Sequence, residues 1–260
     1  MSLKNNKSLG QHWLKNRAIL EEIADYAVYG SAFENSEKTE AKLPVCVEIG
    51  PGLGFLTASL LKRFEKVIAV EYDAELAKKL PGSFPGKNLE VVNEDILKYD
   101  FGNLKEPFYI VGNIPYYITS PIIERVLTLS MHPKRVVLLM QKEVAERITA
   151  DKETLLSLFV KNRAKVWTGS VVKAAEFTPP PKVDSEVLIM EPYSEPIVDE
   201  KVFDLIKIGF KAPRKKLIHN LTGKKSKEEL EKIFADLELN VNSRPGDLSL
   251  KDWAKLDLVI

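Results

Sequence analysis

Short apolar runs rich in β-branched residues alternate with stretches of helical periodicity along most of the chain. Such alternation predicts successive βαβ units and a mainly parallel sheet. The predicted strands cover residues 44–50, 66–73, 89–95, 108–114, 135–141, 171–178 and 185–192, and the predicted helices cover 56–64, 74–80, 121–130, 142–149 and 154–165. The last two strands follow each other without a helix between them, which predicts an antiparallel pair added to the parallel sheet.

The pattern changes near residue 192. The stretch PYSEPIVDE, residues 192–200, carries two prolines and no core periodicity, and the sequence after it has helical periodicity alone. We therefore expect two domains, an α/β domain over residues 1–192 and a small all-helical domain over residues 193–260.

The composition excludes several classes of protein. The chain has 260 residues, of which 45% are hydrophobic, enough to bury a full-sized core. It has no apolar stretch of membrane-spanning length and no apolar run behind its first lysines, so we expect a cytoplasmic protein that does not contact membranes. The single cysteine, Cys46, lies in an apolar run, which fits a reducing compartment. The histidines are far apart, so we expect no metal site, and nothing demands more than a monomer.

The net charge of +1 conceals a basic segment, residues 205–227. It contains eight cations and no acid: Lys207, Lys211, Arg214, Lys215, Lys216, Lys224, Lys225 and Lys227. A local excess of cations in a neutral protein is typical of a surface that binds polyanions. We predict that Lys211, Arg214, Lys215 and Lys216 bind RNA. The alternative is a lysine-rich face that contacts only solvent.

The first candidate ligand site is a glycine loop in the motif VEIGPGLG, residues 47–54, which ends a predicted strand and precedes a predicted helix. Glycines allow a sharp turn and a close approach to a ligand. Gly50, Gly52 and Gly54 follow the spacing G-x-G-x-G, whereas a dinucleotide site requires its third glycine at position 55, which is Phe55. The spacing disfavours a pyrophosphate. A plain tight turn is the alternative to a ligand site.

Two acids strengthen the prediction of a nucleoside site, because each ends a following strand. Glu71 ends the run VIAVE, where a carboxylate can accept both hydroxyl protons of a ribose. Asp95 ends VVNED and precedes Ile96, a pair that suits the amino group and the ring face of an adenine. Because ligands bind at the carboxyl ends of strands in open α/β sheets, we expect these residues to meet the glycine loop in one crevice.

The motif NIPYYIT, residues 113–119, also ends a strand. The amino group of adenine is a poor nucleophile, so acceptors must direct it, and the Asn113 side-chain oxygen and the Ile114 carbonyl can accept its two protons. Pro115 makes the turn rigid, and Tyr116 offers a ring on which a flipped base can stack. Phe177 in FTPPPKVDS is predicted to cover the opposite face of that base. The alternative is an ordinary turn with core aromatic residues.

These motifs resemble those of one family. The motifs SLGQHWL, VEIGPGLG, NIPYYITSPII and FTPPPKVDSEVL, supported by MQKEVAERI, GFKAPRKKLIHNL and RPGDLSLKDWAKL, are similar to those of the bacterial small-subunit ribosomal RNA adenine N6,N6-dimethyltransferases. The resemblance runs from about Ser8 to the last predicted helix. It implies a Rossmann-like class I methyltransferase fold with a mainly parallel seven-stranded sheet and a small all-helical C-terminal domain.

The resemblance also implies a reaction and a set of binding residues. The reaction is S-adenosylmethionine-dependent dimethylation of two adjacent adenosines in the 3′-terminal hairpin of small-subunit ribosomal RNA, and the implied partner is an assembling 30S subunit. The residues implied to line the cofactor site are His12, Leu14, Gly50, Gly52, Glu71, Asp95, Ile96 and Asn113, with Asn113 where cofactor and target meet.

Two departures and two alternatives accompany this resemblance. The N-terminal motif usually reads Gln-Asn-Phe-Leu, whereas here it is Gln11-His12-Trp13-Leu14, and the C-terminal motif has Arg214-Lys215 where the family more often has two arginines. One alternative is the sister family that methylates adenine in large-subunit RNA and confers macrolide resistance. The other is a non-catalytic RNA-binding assembly or transcription factor on the same fold.

Overall fold

The computed structural model describes residues 11–30 and 41–260, which form two compact units. Unit 1 extends to Ala145 and also includes Lys165–Pro192, whereas unit 2 comprises Glu146–Ala164 and Tyr193–Ile260. Residues 146–164 fall in the first domain by the change in periodicity near residue 192, whereas the structure assigns them to unit 2. The reason is hydrophobic packing, since Leu158 in this stretch belongs to the core cluster of unit 2.

The strands of the described residues form two sheets. They are β1 Trp13–Leu14, β2 Leu43–Ile49, β3 Phe64–Glu71, β4 Leu89–Asn93, β5 Phe108–Asn113, β6 Val136–Gln141, β7 Ala164–Val172, β8 Phe177–Thr178 and β9 Ser185–Pro192. The main sheet has seven strands in the order β4-β3-β2-β5-β6-β9-β7, and β1 pairs with β8 in a small antiparallel sheet. Within the main sheet, β4, β3, β2, β5 and β6 are parallel, and β9 runs antiparallel to β6.

The helices that follow the first strands are α1 Arg17–Tyr29, α2 Phe55–Arg63, α3 Ala74–Lys79, α4 Thr119–Leu127 and α5 Lys142–Thr149. The Asn16 side chain caps α1 by accepting from the backbone N–H of Ala18, at 3.1 Å. The Asp73 carboxylate caps α3 in the same way. Such caps satisfy donors that have no partner inside a helix, so they fix where each helix begins.

The seven-stranded, mainly parallel sheet agrees with the fold class predicted from the sequence. Six strands, β2 to β6 and β9, lie within about two residues of the predicted bounds, which is the usual precision at element ends. The predicted strand over residues 171–178 is wrong as a continuous strand, since only residues 171–172 and 177–178 lie in strands. The strand is instead β7, rich in β-branched and aromatic residues, and Ala174–Glu176 forms a 3₁₀ turn before the short β8. Alanine and glutamate are poor strand formers, which explains the break.

Unit 2 is helical apart from its junction with β7. Its helices are α6 Leu155–Arg163, α7 Glu200–Gly209, α8 Leu217–Leu221, α9 Lys227–Asp236 and α10 Leu250–Asp257. Capping boxes begin α6, α9 and α10, at Thr154, Ser226 and Ser249. The core contains the fully buried Trp253, and Gly209 leaves room for its ring, because a Cβ there would lie 2.3 Å from that ring.

The core of unit 1 lies against the main sheet. Strand β2 buries Cys46 and Val47 completely, and β6 is apolar over all but its last residue. Burial of both faces is typical of central parallel strands, which therefore read as continuous apolar runs rather than as alternating ones. Within the described ranges, no helix has the length and the hydrophobicity that crossing a membrane requires.

Candidate active site

A cavity of about 380 Å³ lies in unit 1 at the carboxyl ends of β2, β3 and β5. Its lining comes from residues 11–14, 48–53, 55–56, 70–72, 94–97 and 113–118, together with Leu20 and Leu76. All eight residues predicted to bind a cofactor line it, as do Ile114, Pro115 and Tyr116. The parallel pairing of β2 with β3 and with β5 explains this convergence, because it brings three strand ends to one edge of the sheet.

The glycine loop joins β2 to α2 through backbone conformations that favour glycine. Gly52 has φ 56°, and a Cβ there would lie 3.3 Å from the Trp13 indole nitrogen. Its amide donates a hydrogen bond to Oε2 of Glu71 at 3.0 Å. The loop is thus bent toward β3 and held there, and a larger residue at position 52 would have a strained backbone and would have to displace the Trp13 ring.

Glu71 is a buried carboxylate whose two oxygens are both oriented by the backbone. Oε2 accepts from Gly52, and Oε1 accepts from the amide of Asp73 at 2.8 Å. Burial raises the pKa of Glu71, although these two bonds and a further one from the Tyr72 backbone oppose the effect. Each oxygen of a carboxylate can accept two bonds, so three of the four acceptor positions are used and one remains. The group can therefore accept a hydroxyl proton of a ribose without moving.

Asp95 and Ile96 lie just beyond the end of β4, on the same side of the cavity as Glu71. Oδ1 of Asp95 accepts from the amide of Leu97 at 3.0 Å, which fixes the orientation of the carboxylate. Ile96 is buried and contributes an apolar wall. An oriented acceptor beside an apolar surface is suited to the amino group and the ring of an adenine.

Asn113 ends β5 and is oriented by the N-terminal segment. Its amide nitrogen donates to the backbone carbonyl of His12 at 3.0 Å, and since a carbonyl can only accept, the side-chain oxygen is the atom that remains. The amide of Ile114 donates to Leu139 at 3.2 Å, whereas its carbonyl has no hydrogen-bond partner among the described residues. Two acceptors, a side-chain oxygen and a carbonyl, are therefore available at one turn.

Tyr116 follows this turn, and two contacts hold its ring. Its hydroxyl lies 2.7 Å from the hydroxyl of Ser185 on β9, and its ring stacks on His12 with 6.0 Å between centroids and 20° between planes. Burial raises the pKa of the Tyr116 phenol, so it stays protonated near neutral pH. The His12 ring is itself held, because Nδ1 donates to the carbonyl of Pro179 at 2.8 Å.

Comparison with known proteins places this geometry in a family. The family model described as ribosomal RNA adenine dimethylase matches residues 2–259. The ribosomal RNA small subunit methyltransferase A of Synechocystis sp. is 37% identical, over 98% of this chain and 96% of that protein. This chain belongs to the ribosomal RNA adenine dimethylase family.

Two solved structures give the same result for the fold. A dimethyladenosine transferase from Plasmodium falciparum superposes with a TM-score of 0.78 and 27% identity, over 94% of this chain and 96% of that one. The 23S rRNA methyltransferase ErmE superposes with a TM-score of 0.75 and 26% identity, over 95% of this chain and 98% of that one. The class I methyltransferase fold predicted from the sequence is confirmed, as is S-adenosylmethionine as methyl donor for a dimethylase of this family.

The residues present fit that donor. S-Adenosylmethionine offers a ribose with two free hydroxyls and an adenine, and the cavity has the Glu71 carboxylate for the first and Asp95 with Ile96 for the second. S-Adenosylmethionine contains no phosphate. This agrees with the glycine spacing of the loop, which differs from the spacing of dinucleotide-binding sites. No group of three metal-ligating side chains occurs in the part of the chain that the structure describes.

Phe177 differs from its predicted position in this dimethylase. Its side chain is 3% exposed and belongs to the hydrophobic core, and it is absent from the described residues that line the cavity. The reason is the pairing of β1 with β8, which places Phe177 opposite Leu14 in the small sheet. The prediction that this ring faces the target base therefore does not match the geometry.

Three residues of the cavity have distinctive properties that the sequence patterns did not predict. Glu48 is fully buried in β2; Oε2 accepts from the Thr57 hydroxyl at 2.6 Å, and Oε1 has no hydrogen-bond partner among the described residues. Burial raises the pKa of Glu48 to about 8. Tyr72 and Tyr117 are the other two, and both are exposed at the cavity. The available signal for Glu48 was a carboxylate inside an otherwise apolar strand.

The predicted RNA-binding residues lie in unit 2, around the loop between α7 and α8. Lys211, Arg214, Lys215 and Lys216 are all exposed, and Lys216 bonds to the Asn242 side chain. The side chains of the other three make no ion pair with described residues. Asn220 orders this loop, because its amide nitrogen donates to the carbonyls of Gly209 and Ala212.

Proposed function

We propose that this chain transfers methyl groups to the N6 atoms of two adjacent adenosines in the 3′-terminal hairpin of small-subunit ribosomal RNA, as part of ribosome assembly. The observation that carries the proposal is the pairing of the Asn113 amide nitrogen with the His12 carbonyl. It leaves an oriented oxygen beside the free Ile114 carbonyl, in the cavity that also contains Glu71 and Asp95.

The cofactor-binding residues in this proposal divide the cavity into three parts. Glu71 would hold the ribose, and Asp95 with Ile96 would hold the adenine. Gly50 and Gly52, together with His12 and Leu14, would surround the methionine end. When bound, S-adenosylmethionine supplies an electrophilic methyl group.

The acceptors near β5 would then activate the target amine. The lone pair of an adenine amino group is delocalised into the ring, and two hydrogen bonds, to Asn113 Oδ1 and to the Ile114 carbonyl, direct it out of the ring plane. The same two oxygens stabilise the positive charge that develops on nitrogen as the new bond forms. Pro115 keeps the turn rigid, and the Tyr116 ring provides the stacking surface for the flipped base.

No protein base is required for this reaction. The N6 atom becomes acidic only once it carries the additional methyl group, so water can remove the proton afterwards. Neither a metal ion nor a covalent enzyme intermediate is needed for such a direct displacement, because positioning and electrostatic stabilisation supply the catalysis.

The partner in this proposal is an assembling 30S subunit, bound by a monomer in the cytoplasm. The exposed cations Lys211, Arg214, Lys215 and Lys216 support an RNA partner, since cations that lack protein partners are available for phosphates. Unit 2 would serve as the RNA-binding domain and unit 1 as the methyltransferase domain.

Mass spectrometry of RNA fragments tests the proposal. Unmodified small subunits are incubated with the protein and S-adenosylmethionine, and the 3′-terminal fragment is expected to gain the mass of four methyl groups, two on each adenosine. A matched reaction contains Asn113→Ala, which is expected to bind S-adenosylhomocysteine within about threefold of the wild type. That variant should lose 10²–10³-fold in turnover, roughly as when an oxyanion donor is removed.

Large-subunit RNA remains the second candidate substrate, favoured by the TM-score of 0.75 with the 23S rRNA methyltransferase ErmE. The same incubation with large subunits separates the two. Dimethyladenosine in the large-subunit RNA alone would overturn the small-subunit assignment, and unchanged turnover of Asn113→Ala would overturn the part assigned to its oxygen.

A further inference from the structure

The most exposed aromatic side chains of the described residues are Phe55, Tyr72, Tyr117 and Tyr193, and the first three line the cavity. Exposed aromatic rings lose the free energy that burial would give them, so their concentration around one cavity requires a reason. We name Phe55, Tyr72 and Tyr117 the aromatic rim. Its members are solvent-exposed parts of the cavity lining, where a ligand too large for the cavity can contact them.

Tyr117 differs from its neighbour Tyr116 in every contact. The ring of Tyr116 is half-buried, bonded to Ser185 and stacked on His12, whereas Tyr117 is 63% exposed and its hydroxyl has no partner among the described residues. Both lie in the 3₁₀ turn Tyr116–Ile118. Consecutive side chains in such a turn point about 120° apart, so one ring enters the cavity while the next remains at its mouth.

The position of Tyr117 associates it with the target rather than with the cofactor. Most residues suited to the cofactor come from 12–14, 48–53, 70–72 and 94–97. Tyr117 belongs to the segment 113–118, which carries the amine acceptors and in which only Asn113 is assigned to both cofactor and target. When a target base leaves its stack, the nucleotide next to it loses a neighbour and exposes a ring face. Aromatic side chains are the residues that proteins use to cover such faces.

We propose that Tyr117 is a positioning residue that stacks on the nucleotide adjacent to the flipped adenosine. This inference rests on the proposed function, because it requires a nucleic-acid target. For two adjacent adenosines, the stacked neighbour is the second target, held at the cavity mouth while the first is methylated. The ring, not the hydroxyl, provides the contact.

Steady-state kinetics on small subunits assembled with a defined 3′-terminal RNA segment test the inference. Tyr117→Ala is expected to raise KM for the subunit about tenfold, within the range of one base–aromatic stack, with less than a twofold change in kcat. Tyr117→Phe should remain within twofold of the wild type. Because the side chain is exposed, both variants should fold, which wild-type affinity for S-adenosylhomocysteine verifies.

A double-mutant cycle with the RNA gives the decisive result. Subunits are assembled with an abasic site on the 5′ or on the 3′ side of the target adenosine. One of these abasic sites should raise the KM of the wild type about tenfold. The same site should not raise the KM of Tyr117→Ala further, because the missing base and the missing ring are the two partners of one contact. Tyr72→Ala, which removes an equally exposed ring of the rim, should show full additivity with both abasic sites.

Additive effects of Tyr117→Ala with both abasic sites would overturn the inference, as would a tenfold rise in KM for Tyr117→Phe. These outcomes are distinct from failure of the proposed function. That failure would appear as wild-type protein that does not bind S-adenosylhomocysteine or leaves no dimethyladenosine in the RNA.

Discussion

At the scale of the residue, Glu48 carries an ionisable carboxyl inside a buried strand, and this has a consequence for stability. Burial raises its pKa from 4.5 to about 8, and the nearby charge of Glu71 adds to the effect. Between these two pH values the folded state holds a proton that the unfolded state has lost. The contribution of Glu48 to stability therefore falls as pH rises from about 4.5 to about 8 and is constant above that range, a difference on the order of 5 kcal/mol.

Glu48→Gln should remove most of this pH dependence. The amide retains an oxygen that accepts from the Thr57 hydroxyl, and its nitrogen replaces an oxygen that has no partner in the described structure. Urea unfolding between pH 5 and pH 8 is expected to give a falling free energy of unfolding for the wild type and a flatter profile for the variant. Parallel profiles would contradict the raised pKa.

Glu21 provides a control with the opposite sign. Burial raises its pKa, but hydrogen bonds from Lys62, Arg63 and Ser59 outweigh burial and lower it to about 2. The stability that it contributes is lost only as pH falls below about 4.5. Glu21→Gln should therefore displace the unfolding profile between pH 5 and pH 8 without changing its slope.

The site residues that sequence predicts well are those whose position follows from the fold. Gly50, Glu71 and Asn113 end parallel strands, and a parallel sheet brings such ends together, so their convergence could be inferred from spacing alone. Phe177 could not be placed in this way. Its environment depends on a two-residue strand pairing with the N-terminal segment, and so short a pairing has no periodicity to detect.

At the scale of the element, the basic segment divides into paired and unpaired cations. Lys207 pairs with Glu200 and Asp204, and Lys227 approaches Glu231, so part of the positive charge is already compensated. The loop before α8 retains Lys211, Arg214 and Lys215 without ion pairs among the described residues. Sequence reasoning found the excess charge, but only the structure shows which acids face it.

Replacement of Arg214, Lys215 and Lys216 by alanine should weaken RNA binding and reduce its salt dependence. Each phosphate contact that is lost lowers the slope of log affinity against log salt by about 0.7–0.9, so the slope should fall by about 2. Filter binding of small-subunit RNA at several salt concentrations measures it. Alanine at the exposed Lys78, Lys87 and Lys105 removes the same charge and should leave the slope nearly unchanged. Equal slopes for the two triple variants would assign the loop to solvent.

The strands show the limit of pattern recognition at this scale. Strands β2, β3, β5 and β6 contain mostly buried apolar runs, whereas β4 has no buried residue. All five were predicted from their β-branched and apolar residues. Strand β7 has only two fully buried residues, at its ends, and Gly169 interrupts it, so its pattern is weak. In β7 the β-branched and aromatic residues are half-buried and interrupted by small and polar ones, so hydrophobicity alone does not separate this edge strand from a loop.

At the scale of the whole molecule, each unit has a hydrophobic core with its own residues. One cluster contains Leu60 and lies in unit 1, and another contains Leu221 and Trp253 and lies in unit 2. The sequence predicted two domains from the change in periodicity near residue 192. It could not show that residues 146–164 belong to the second, because an amphipathic helix does not reveal which core it covers.

Leu221→Ala should therefore affect the two proposed activities unequally. Leu221 and Leu60 are both fully buried, and truncation of a buried leucine costs about 2–5 kcal/mol. We expect Leu221→Ala to lower the unfolding temperature of unit 2 and to weaken binding of small-subunit RNA, while affinity for S-adenosylhomocysteine stays within twofold of the wild type. Leu60→Ala is the same truncation in the unit that contains the cavity, and it should lower the affinity for S-adenosylhomocysteine.

Calorimetry and ligand titration on the full chain measure both effects. Saturating S-adenosylhomocysteine stabilises only the unit that binds it. It should therefore raise the unfolding temperature of unit 1, which Leu60→Ala lowers, and not that of unit 2, which Leu221→Ala lowers. If Leu221→Ala lowers the affinity for S-adenosylhomocysteine as much as Leu60→Ala does, ligand binding depends on unit 2. The division into a catalytic and an RNA-binding unit would then have to be abandoned, because one core would be supporting both activities.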